Sequence, residues 1–508
     1  MKPAPAPAVL KAMRRGIEKE SLRVRPDGRL SAAPHPLALG SALAHPYITT
    51  DFSESQLELI TGPHAGVEAC LEELTQIHQV VCGAIGEELL WVSSMPCGLP
   101  ADDAIPIGQY GRSNIGRAKT VYRVGLANRY GRRMQAISGI HYNWSLPGLA
   151  NADYFALIRN FRRHGWLLFY LFGASPAVCP SFVAGREHGL TELRPGTLYL
   201  PHATTLRMGR LGYQSEAQDS IAASFNDLES YGAALEDAMT RKWPAYEKIG
   251  VIGKDGDYLQ LSTSLLQIEN EFYGKIRPKC VMRSGERPLH ALRERGVEYV
   301  EVRLMDLDPF APIGITPPVC RFLDIFLLHC LLAESPPDTP AEIAAVGRNQ
   351  EKVAARGREP GLRLERGSQQ VALDEWGGEL IAECAPLAAQ LDAAAGGGAY
   401  REAHAAAAAA LANPALTPSA RVLAAMAASH SNSYTAFALA QSRAHCTALA
   451  SLPLAAAVAQ RFAAIAAESL ARQKSMEEND QLPFEDWRRQ YLSLDKLRPT
   501  SLTPRTTS

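Results

Sequence analysis

Four short stretches of the chain alternate between apolar and polar residues, the pattern expected of β-strands that bury one face. They are residues 16–24, 137–146, 258–270 and 297–305. Two longer stretches, residues 66–91 and 152–173, instead carry apolar residues at helical spacing. The regular succession of strands and helices that a doubly wound parallel sheet requires is absent. The pattern therefore predicts an α+β fold in which helices pack against a mainly antiparallel sheet.

Beyond about residue 376 the chain becomes rich in alanine. A glycine triplet at 396–398 separates two predicted helices, and Thr417 followed by Pro418 predicts the start of another. The proline-rich segment 333–346 indicates a connection that restarts a helix. We therefore expect a catalytic core over 12–335, a connecting segment over 336–375, an Ala-rich helical part over 376–480 packed on the core, and peripheral, largely solvent-facing termini at 1–11 and 481–508.

The composition excludes several classes of protein. With 508 residues, 46% hydrophobic and 21% charged, the chain can bury a large core. A net charge of -1 gives no reason to expect binding to nucleic acid or to an anionic membrane. No apolar run approaches a membrane span, and the N-terminus lacks the apolar segment of a secretory signal. The nine scattered cysteines form no Cys-x-x-Cys pair, which favours reduced thiols in a cytoplasm.

The first predicted strand places two glutamates on one face. Glu18 and Glu20 are two residues apart, so their side chains project in the same direction. Two neighbouring carboxylates repel each other unless a cation lies between them. Taken alone, an exposed strand edge is the more probable interpretation, because exposed acids are common.

Further acids and a histidine follow in two other segments. Asp51, Glu54 and Glu58 are spaced three and four apart, so on a helix they would share a face, which could simply be exposed to solvent. His141 alternates with Tyr142 and Trp144 in the predicted strand 137–146. A single histidine of this kind is more often structural than a ligand.

The predicted strand 297–305 is more informative. Tyr299, Glu301 and Arg303 share one face, while valines occupy the other, which indicates a polar face inside the protein. Oxygen-rich ligands with few nitrogens suit Mg²⁺ or Mn²⁺. An arginine beside them suits a transferring phosphoryl group. Together these segments point to metal-assisted chemistry on phosphate.

Three segments place arginine close to tyrosine: "TVYRVGLANRYG", "TTLRMGRLGYQS" and "ENEFYGKIRPK". Arginine binds carboxylates in a planar, two-pronged contact, and tyrosines shape small pockets. Stacking of arginine on tyrosine at the surface is an equally good explanation for any one of these segments.

Seven strings in order resemble the proteobacterial type of glutamate–cysteine ligase. They are "RGIEKESLRV", "TTDFSESQLELIT", "YGRSNIGRAKTVYR", "ISGIHYNWSLP", "LRMGRLGYQS", "QIENEFYGKIRPK" and "GVEYVEVRLMDLDPF", and they span roughly residues 12–335. The resemblance implies a branch of the glutamine-synthetase superfamily, whose curved antiparallel sheet carries ATP and metal ions. It also implies the first step of glutathione biosynthesis, the joining of the L-glutamate γ-carboxylate to the amino group of L-cysteine.

The resemblance also implies roles for individual residues. The implied metal ligands are Glu18, Glu20, Asp51, Glu58, His141 and Glu301. Arg303 and Ile137 would contact the nucleotide, with Arg303 and Glu301 as the catalytic residues. Arg207 would hold a substrate carboxylate. The remaining substrate-binding residues would be Phe52, Tyr122, Arg123, Gln135, Tyr213 and Tyr273.

The implied chemistry has two steps. ATP phosphorylates the glutamate γ-carboxylate, and the amine of cysteine then displaces phosphate from the acyl phosphate, so no protein nucleophile is needed. Mg²⁺ is the expected metal, with Mn²⁺ as an alternative, and a monomer is compatible with this scheme. Three other functions stay open: a metal-dependent phosphohydrolase acting on ATP, a γ-glutamyl ligase that uses another amine, and a catalytically silent protein of the same fold.

Overall fold

The computed structural model describes residues 2–212, 215–221, 223–283 and 285–499. The strands are β1 (Arg14–Val24), β2 (Ile48–Thr50), β3 (Gln56–Ile60), β4 (Leu89–Leu90), β5 (Ile140–Ser145), β6 (Ala177–Val178), β7 (Thr191–Arg194), β8 (Thr197–Tyr199), β9 (Ile276–Lys279), β10 (Tyr299–Met305), β11 (Arg363–Arg366) and β12 (Gln369–Ala372). The helices are α1 (Pro7–Lys11), α2 (Val67–Ala84), α3 (Asn114–Tyr130), α4 (Arg132–Gln135), α5 (Asn151–His164), α6 (Trp166–Phe172), α7 (Pro180–Val183), α8 (Glu216–Asp219), α9 (Leu228–Thr240), α10 (Pro244–Ile249), α11 (Pro288–Arg295), α12 (Pro317–Leu332), α13 (Pro340–Arg356), α14 (Leu373–Ala395), α15 (Ala399–Ala412), α16 (Pro418–Ser429), α17 (Tyr434–Ser451), α18 (Ala456–Asn479) and α19 (Phe484–Tyr491).

The central sheet is open and antiparallel. Its strands run in the order β2-β3-β1-β5-β10-β9, and β4 pairs with the end of β1. Three of the four predicted strands, in 16–24, 137–146 and 297–305, form β1, β5 and β10 at its centre. Helices surround this sheet, so the predicted α+β class is confirmed.

The register of the sheet brings polar residues from distant segments to one face. Glu20 lies opposite Glu58, and Glu18 lies opposite His141. On the next pair of strands Asn143 lies opposite Glu301. Because alternate residues of a strand project to opposite faces, the intervening apolar residues point into the core under the helices.

The prediction of a fourth strand, over 258–270, is wrong. This segment is described throughout and forms turns that end in a short 3-10 helix at Glu269–Glu271. Its glutamines tie the loop to its neighbours: Gln260 donates to the carbonyl oxygen of Tyr246 (2.7 Å), and Gln267 donates to that of Tyr122 (3.2 Å). Gln260 and Gln267 are therefore buried, with their side-chain amides bonded to the backbone of other elements.

The predicted helices differ from the structure in their limits. The stretch 66–91 contains α2 and then β4, and the stretch 152–173 is divided into α5 and α6 by Gly165. The glycine triplet does separate α14 from α15, and Thr417 with Pro418 does begin α16. The proline-rich connection leads into α13, where Thr339 caps the helix by accepting from the Glu342 amide.

The C-terminal helices share a core with the sheet. The main apolar cluster runs from Leu10 to Leu497 and includes residues of α14 and α15. In the described part of the last segment, 481–499, most residues are exposed or half-buried as expected, and Phe484 and Leu497 are buried. The domain boundaries themselves remain a prediction.

One pair of cysteines departs from the expectation of reduced thiols. Cys97 and Cys179 are joined as a disulfide with their Cα atoms 5.3 Å apart. Because 82 residues separate them, their spacing in the sequence gives no sign of the pairing.

Within the described ranges, no single helix has the length and apolar character to cross a membrane. One pair of helices, α17 and α18, passes that test together by length and composition only, with a bend of 112° between them.

Candidate active site

A cavity of about 1240 Å³ lies over the polar face of the sheet. The predicted site residues that line it are Glu18, Glu20, Asp51, Phe52, Glu58, Tyr122, Arg123, Gln135, His141, Arg207, Tyr273, Glu301 and Arg303. Ile137 is buried and does not line the cavity, and its carbonyl oxygen accepts from Gln56 at 2.9 Å. Tyr213 lies outside the described residues. The cavity thus gathers residues that are spread along the chain from Glu18 to Arg303.

Two groups of ligand atoms meet at Glu58. Glu58 forms one group with Glu18 and His141 and a second with Glu20 and Asp51, and the ligand atoms of each group lie within 4.8 Å of one another. Among the described residues, no donor contacts the carboxylates of Asp51 and Glu58. The donor set is rich in oxygen and has one imidazole nitrogen, which suits a hard divalent cation.

The electrostatics of these acids reflect their crowding. Burial, reinforced by Asp51, raises the pKa of Glu20 to about 8. Burial and the charge of Glu18 raise the pKa of Glu58 well above its usual range. At a separation of 4 Å and an effective dielectric constant of 20, each pair of like charges costs about 4 kcal/mol. A bound cation would remove this cost and favour the ionised forms.

Glu18 and His141 are held in place by hydrogen bonds. His141 Nδ1 lies 3.1 Å from one carboxylate oxygen of Glu18, and the amide of Asn143 donates to the other at 2.8 Å. Burial is the largest single effect on the pKa of Glu18 and raises it, but the hydrogen bond and charge of His141 together with the charge of Lys279 outweigh the raising effects, so the net shift is downward. The histidine therefore has the partners of a site residue and is more than a structural core residue.

The part of the cavity beside His141 carries cationic side chains, and Arg303 Nη1 lies 3.4 Å from His141 Nδ1. Glu301 pairs with Lys279 and with Arg303, each at 3.1 Å. Burial raises the pKa of Glu301, but these two cations outweigh it and hold that pKa well below its usual range. Glu301 belongs to neither group of clustered ligand atoms, and its carboxylate accepts from Arg303.

A third part of the cavity is lined by aromatic and amide side chains. Gln135 donates to the hydroxyl of Tyr273 at 2.8 Å, and the backbone of Tyr273 donates to Gln218 at 2.9 Å. Arg207 donates to the carbonyl oxygen of Arg303 at 2.9 Å and is almost completely buried. These contacts order the side chains of the pocket next to Arg303.

The helical interpretation of Asp51, Glu54 and Glu58 is wrong. They lie on the hairpin of β2 and β3, and the backbone paths of the two strands bring Asp51 and Glu58 together. Glu54 instead accepts from the amides of His35 (2.9 Å) and Gln109 (2.8 Å).

Several lining residues were missed from the sequence. Arg277 and Lys279 alternate with buried residues in β9, so the rule applied to Glu301 and Arg303 would have found them. Lys119 lies on α3 beside residues that were identified. Trp487 and Tyr491 come from α19, whose place at the cavity depends on tertiary packing and has no local signal.

Comparisons with known proteins agree over nearly the whole chain. Residues 1–353 match the family model for glutamate-cysteine ligase. Glutamate–cysteine ligase from Alcanivorax borkumensis is 47% identical over 510 residues, covering 96% of this chain and 97% of its own, and that from Azotobacter vinelandii is 50% identical over 493 residues, covering 93% of each.

Solved structures give the same result. Glutamate–cysteine ligase from Francisella tularensis, determined in complex with AMP, superimposes with a TM-score of 0.90 at 34% identity, covering 94% of this chain and 97% of that one. A bifunctional glutathione synthetase from Pasteurella multocida matches with a TM-score of 0.68 at 26% identity, covering 87% of this chain and 53% of that one. The resemblance in the sequence is therefore confirmed, and the chain belongs to the glutamate–cysteine ligase family.

Proposed function

We propose that this protein uses ATP to join the γ-carboxylate of L-glutamate to the amino group of L-cysteine through a γ-glutamyl phosphate. The observation that carries the proposal is one cavity that combines clustered carboxylates, two of which (Asp51 and Glu58) accept from no described donor, with the cationic side chain of Arg303. Membership of the family and the AMP complex of the Francisella relative support it. At about 1240 Å³, the cavity exceeds the volume usual for one small ligand, which agrees with three substrates.

The acids fit a divalent cation. Asp51, Glu20 and Glu58 would hold one Mg²⁺, and Glu18 and His141 would contribute to a second with Glu58. Mn²⁺ has the same preference for oxygen ligands and is the alternative. When bound, the metal would neutralise the phosphates of ATP.

The protein's own residues would orient the reacting groups and balance the charge that develops on them. Arg303 would counter the charge on the transferring phosphoryl group, while Glu301 holds Arg303 at 3.1 Å. The γ-carboxylate oxygen of glutamate forms a bond to the terminal phosphorus of ATP, and ADP leaves. The neutral amine of cysteine then attacks the acyl carbon, phosphate leaves with the bonding electrons, and the amine loses a proton. The buried pocket of Gln135 and Tyr273 would keep water from the acyl phosphate.

One assay tests the proposal against its rivals. Release of ADP is measured in the presence of Mg²⁺ with ATP plus glutamate alone, cysteine alone, both, or glutamate with other amines. We expect substantial release only when glutamate and cysteine are both present. Release without an amino acid would support a phosphohydrolase, and faster release with another amine would support a different γ-glutamyl ligase. No release under any condition would support a catalytically silent protein.

A further inference from the structure

Lys119 is a cavity residue without an assigned task. It lies on α3 three and four residues before Tyr122 and Arg123, so the three side chains share one face of the helix, and all three line the cavity. Its ammonium nitrogen lies 5.2 Å from the centre of the Tyr110 ring, and Arg123 Cζ lies 4.4 Å from the same ring. The ammonium group is therefore beside the loop that carries Asp51 and Phe52.

The other buried or half-buried basic side chains of the cavity already have acceptors. Arg123 donates to the carbonyl oxygens of Asp51 and Lys119, and Arg207 to that of Arg303. Lys275 donates to Gln350, and Arg277 donates to the carbonyl oxygen of Asn270. Lys279 and Arg303 both donate to Glu301. Over the described ranges, Lys119 Nζ has no hydrogen bond and no carboxylate within ion-pair distance.

The two amino-acid substrates bring one α-carboxylate each, and both must be held while the γ-carboxylate of glutamate reacts. Arg207 is the candidate for one of these carboxylates. We propose that Lys119 binds the α-carboxylate of the other amino-acid substrate, an inference that rests on the proposed ligase function. An ammonium group on a flexible stem is suited to a single charged contact of this kind.

The electrostatic state of Lys119 agrees with this role. Burial, followed by the charge of Arg123, lowers the pKa of Lys119 to about 8. The charge of Glu58 offsets part of this effect, and an incoming carboxylate would further favour the protonated ammonium.

The test compares wild type with Lys119→Met, Lys119→Gln and Lys119→Arg, each checked by thermal unfolding. ADP release is measured while glutamate, cysteine and ATP are varied in turn. We expect both neutral variants to raise the KM for one amino acid by about 10-fold to 100-fold, the loss expected for a hydrogen bond to a charged group. The KM for ATP and kcat should stay within about threefold, and Lys119→Arg should recover most of the loss. Lys254→Met, at an exposed turn, is the matched control and should behave as wild type.

A second set of assays tests whether Lys119 binds the α-carboxylate of the substrate whose KM changed. Substrates that lack the α-carboxylate, 2-aminoethanethiol for cysteine or 4-aminobutyrate for glutamate, replace the amino acid whose KM changed. We expect kcat/KM for that analogue to be the same in wild type and Lys119→Met, because the group bound by Lys119 is gone. An equal loss with the analogue, a change in the KM for ATP only, or no change in any KM would overturn the assignment. A wild-type enzyme that releases no ADP with both amino acids would instead show that the proposed function itself has failed.

Discussion

On one face of β1, Glu18 and Glu20 point into the cavity, whereas on the other face Arg15 and Lys19 point into the core. Arg15 pairs with Asp324 at 3.0 Å, and Lys19 lies 2.9 Å from His78 and 2.7 Å from Ser21. The core face thus has its partners within the protein, whereas Asp51 and Glu58, which lie beside Glu18 and Glu20 in the cavity, accept from no described donor and would take their counter-charge from the proposed cation. Charge on the core face should matter for stability, and charge on the cavity face for activity.

The strongest test of this contrast is Glu58→Gln. We expect kcat/KM for ligation to fall by about 100-fold to 1000-fold, because this residue belongs to both ligand groups. The free energy of unfolding in EDTA should stay equal or rise, since a repelling carboxylate is removed. Urea denaturation in the presence of EDTA measures this free energy of unfolding. A loss of stability in this variant would contradict the separation of the two faces.

Arg303→Ala examines the cationic part of the cavity beside His141. We expect kcat to fall by about 100-fold with little change in the KM for glutamate or cysteine, because Arg303 acts on charge that develops during phosphoryl transfer. Arg210→Ala is a suitable control, since Arg210 is exposed and pairs with Glu351 at 3.3 Å. Steady-state kinetics of the two variants should differ clearly, and wild-type turnover in Arg303→Ala would reject the assignment.

On the core face, Asp324→Ala should have the opposite effect. Asp324 accepts from Arg15 and from the hydroxyls of Tyr142 (2.8 Å) and Tyr400 (3.1 Å). Its removal leaves a buried guanidinium without a counter-charge, so we expect a loss of about 3–5 kcal/mol in the free energy of unfolding. The folded fraction should keep its KM values. The double variant Arg15→Met, Asp324→Leu should recover part of the stability, and failure to do so would count against a charge effect.

The smallest effect concerns Lys19→Met. Burial lowers the pKa of Lys19 to about 7, below the value of about 10.4 in an unfolded chain. Between these pH values the unfolded state binds more protons at this site, so the stability of wild type rises with pH relative to the variant. We therefore expect the stability advantage of Lys19→Met to be largest at pH 7 and to shrink towards pH 10, as measured by denaturation at each pH. A difference that does not change with pH would show that the Lys19 ammonium is not strained by burial.

The sequence predicted the centre of the site well because strands are simple to interpret. In β1, β5 and β10 the period of two assigns each polar residue to a face without knowledge of the rest of the chain. This placed Glu18 with Glu20 and Glu301 with Arg303 on common faces, and the strand 297–305 indicated an internal polar face. The roles predicted for Glu18, Glu20 and His141 came from the resemblance to the family.

The failures share one cause, which is that long-range contacts decide them. Asp51 and Glu58 have helical spacing, but the hairpin of β2 and β3 brings them together instead. The segment 258–270 alternates like a strand, yet Gln260 and Gln267 bond to other elements. Neither the link of Cys97 with Cys179 nor the position of Trp487 at the cavity leaves a local pattern.

The hydrogen bond from the Tyr400 hydroxyl to the Asp324 carboxylate also has a consequence for synthesis of the chain on the ribosome. Arg15 pairs with Asp324 of α12, and Asp324 in turn accepts from Tyr400 of α15, so this buried network around β1 cannot be completed until most of the chain has been made. At a synthesis rate of about 5–20 residues per second, the delay between the synthesis of β1 and that of α15 is on the order of 20–80 s. During that time the nascent first strand carries a charged residue destined for burial, and we expect chaperones to bind this N-terminal region until α15 emerges.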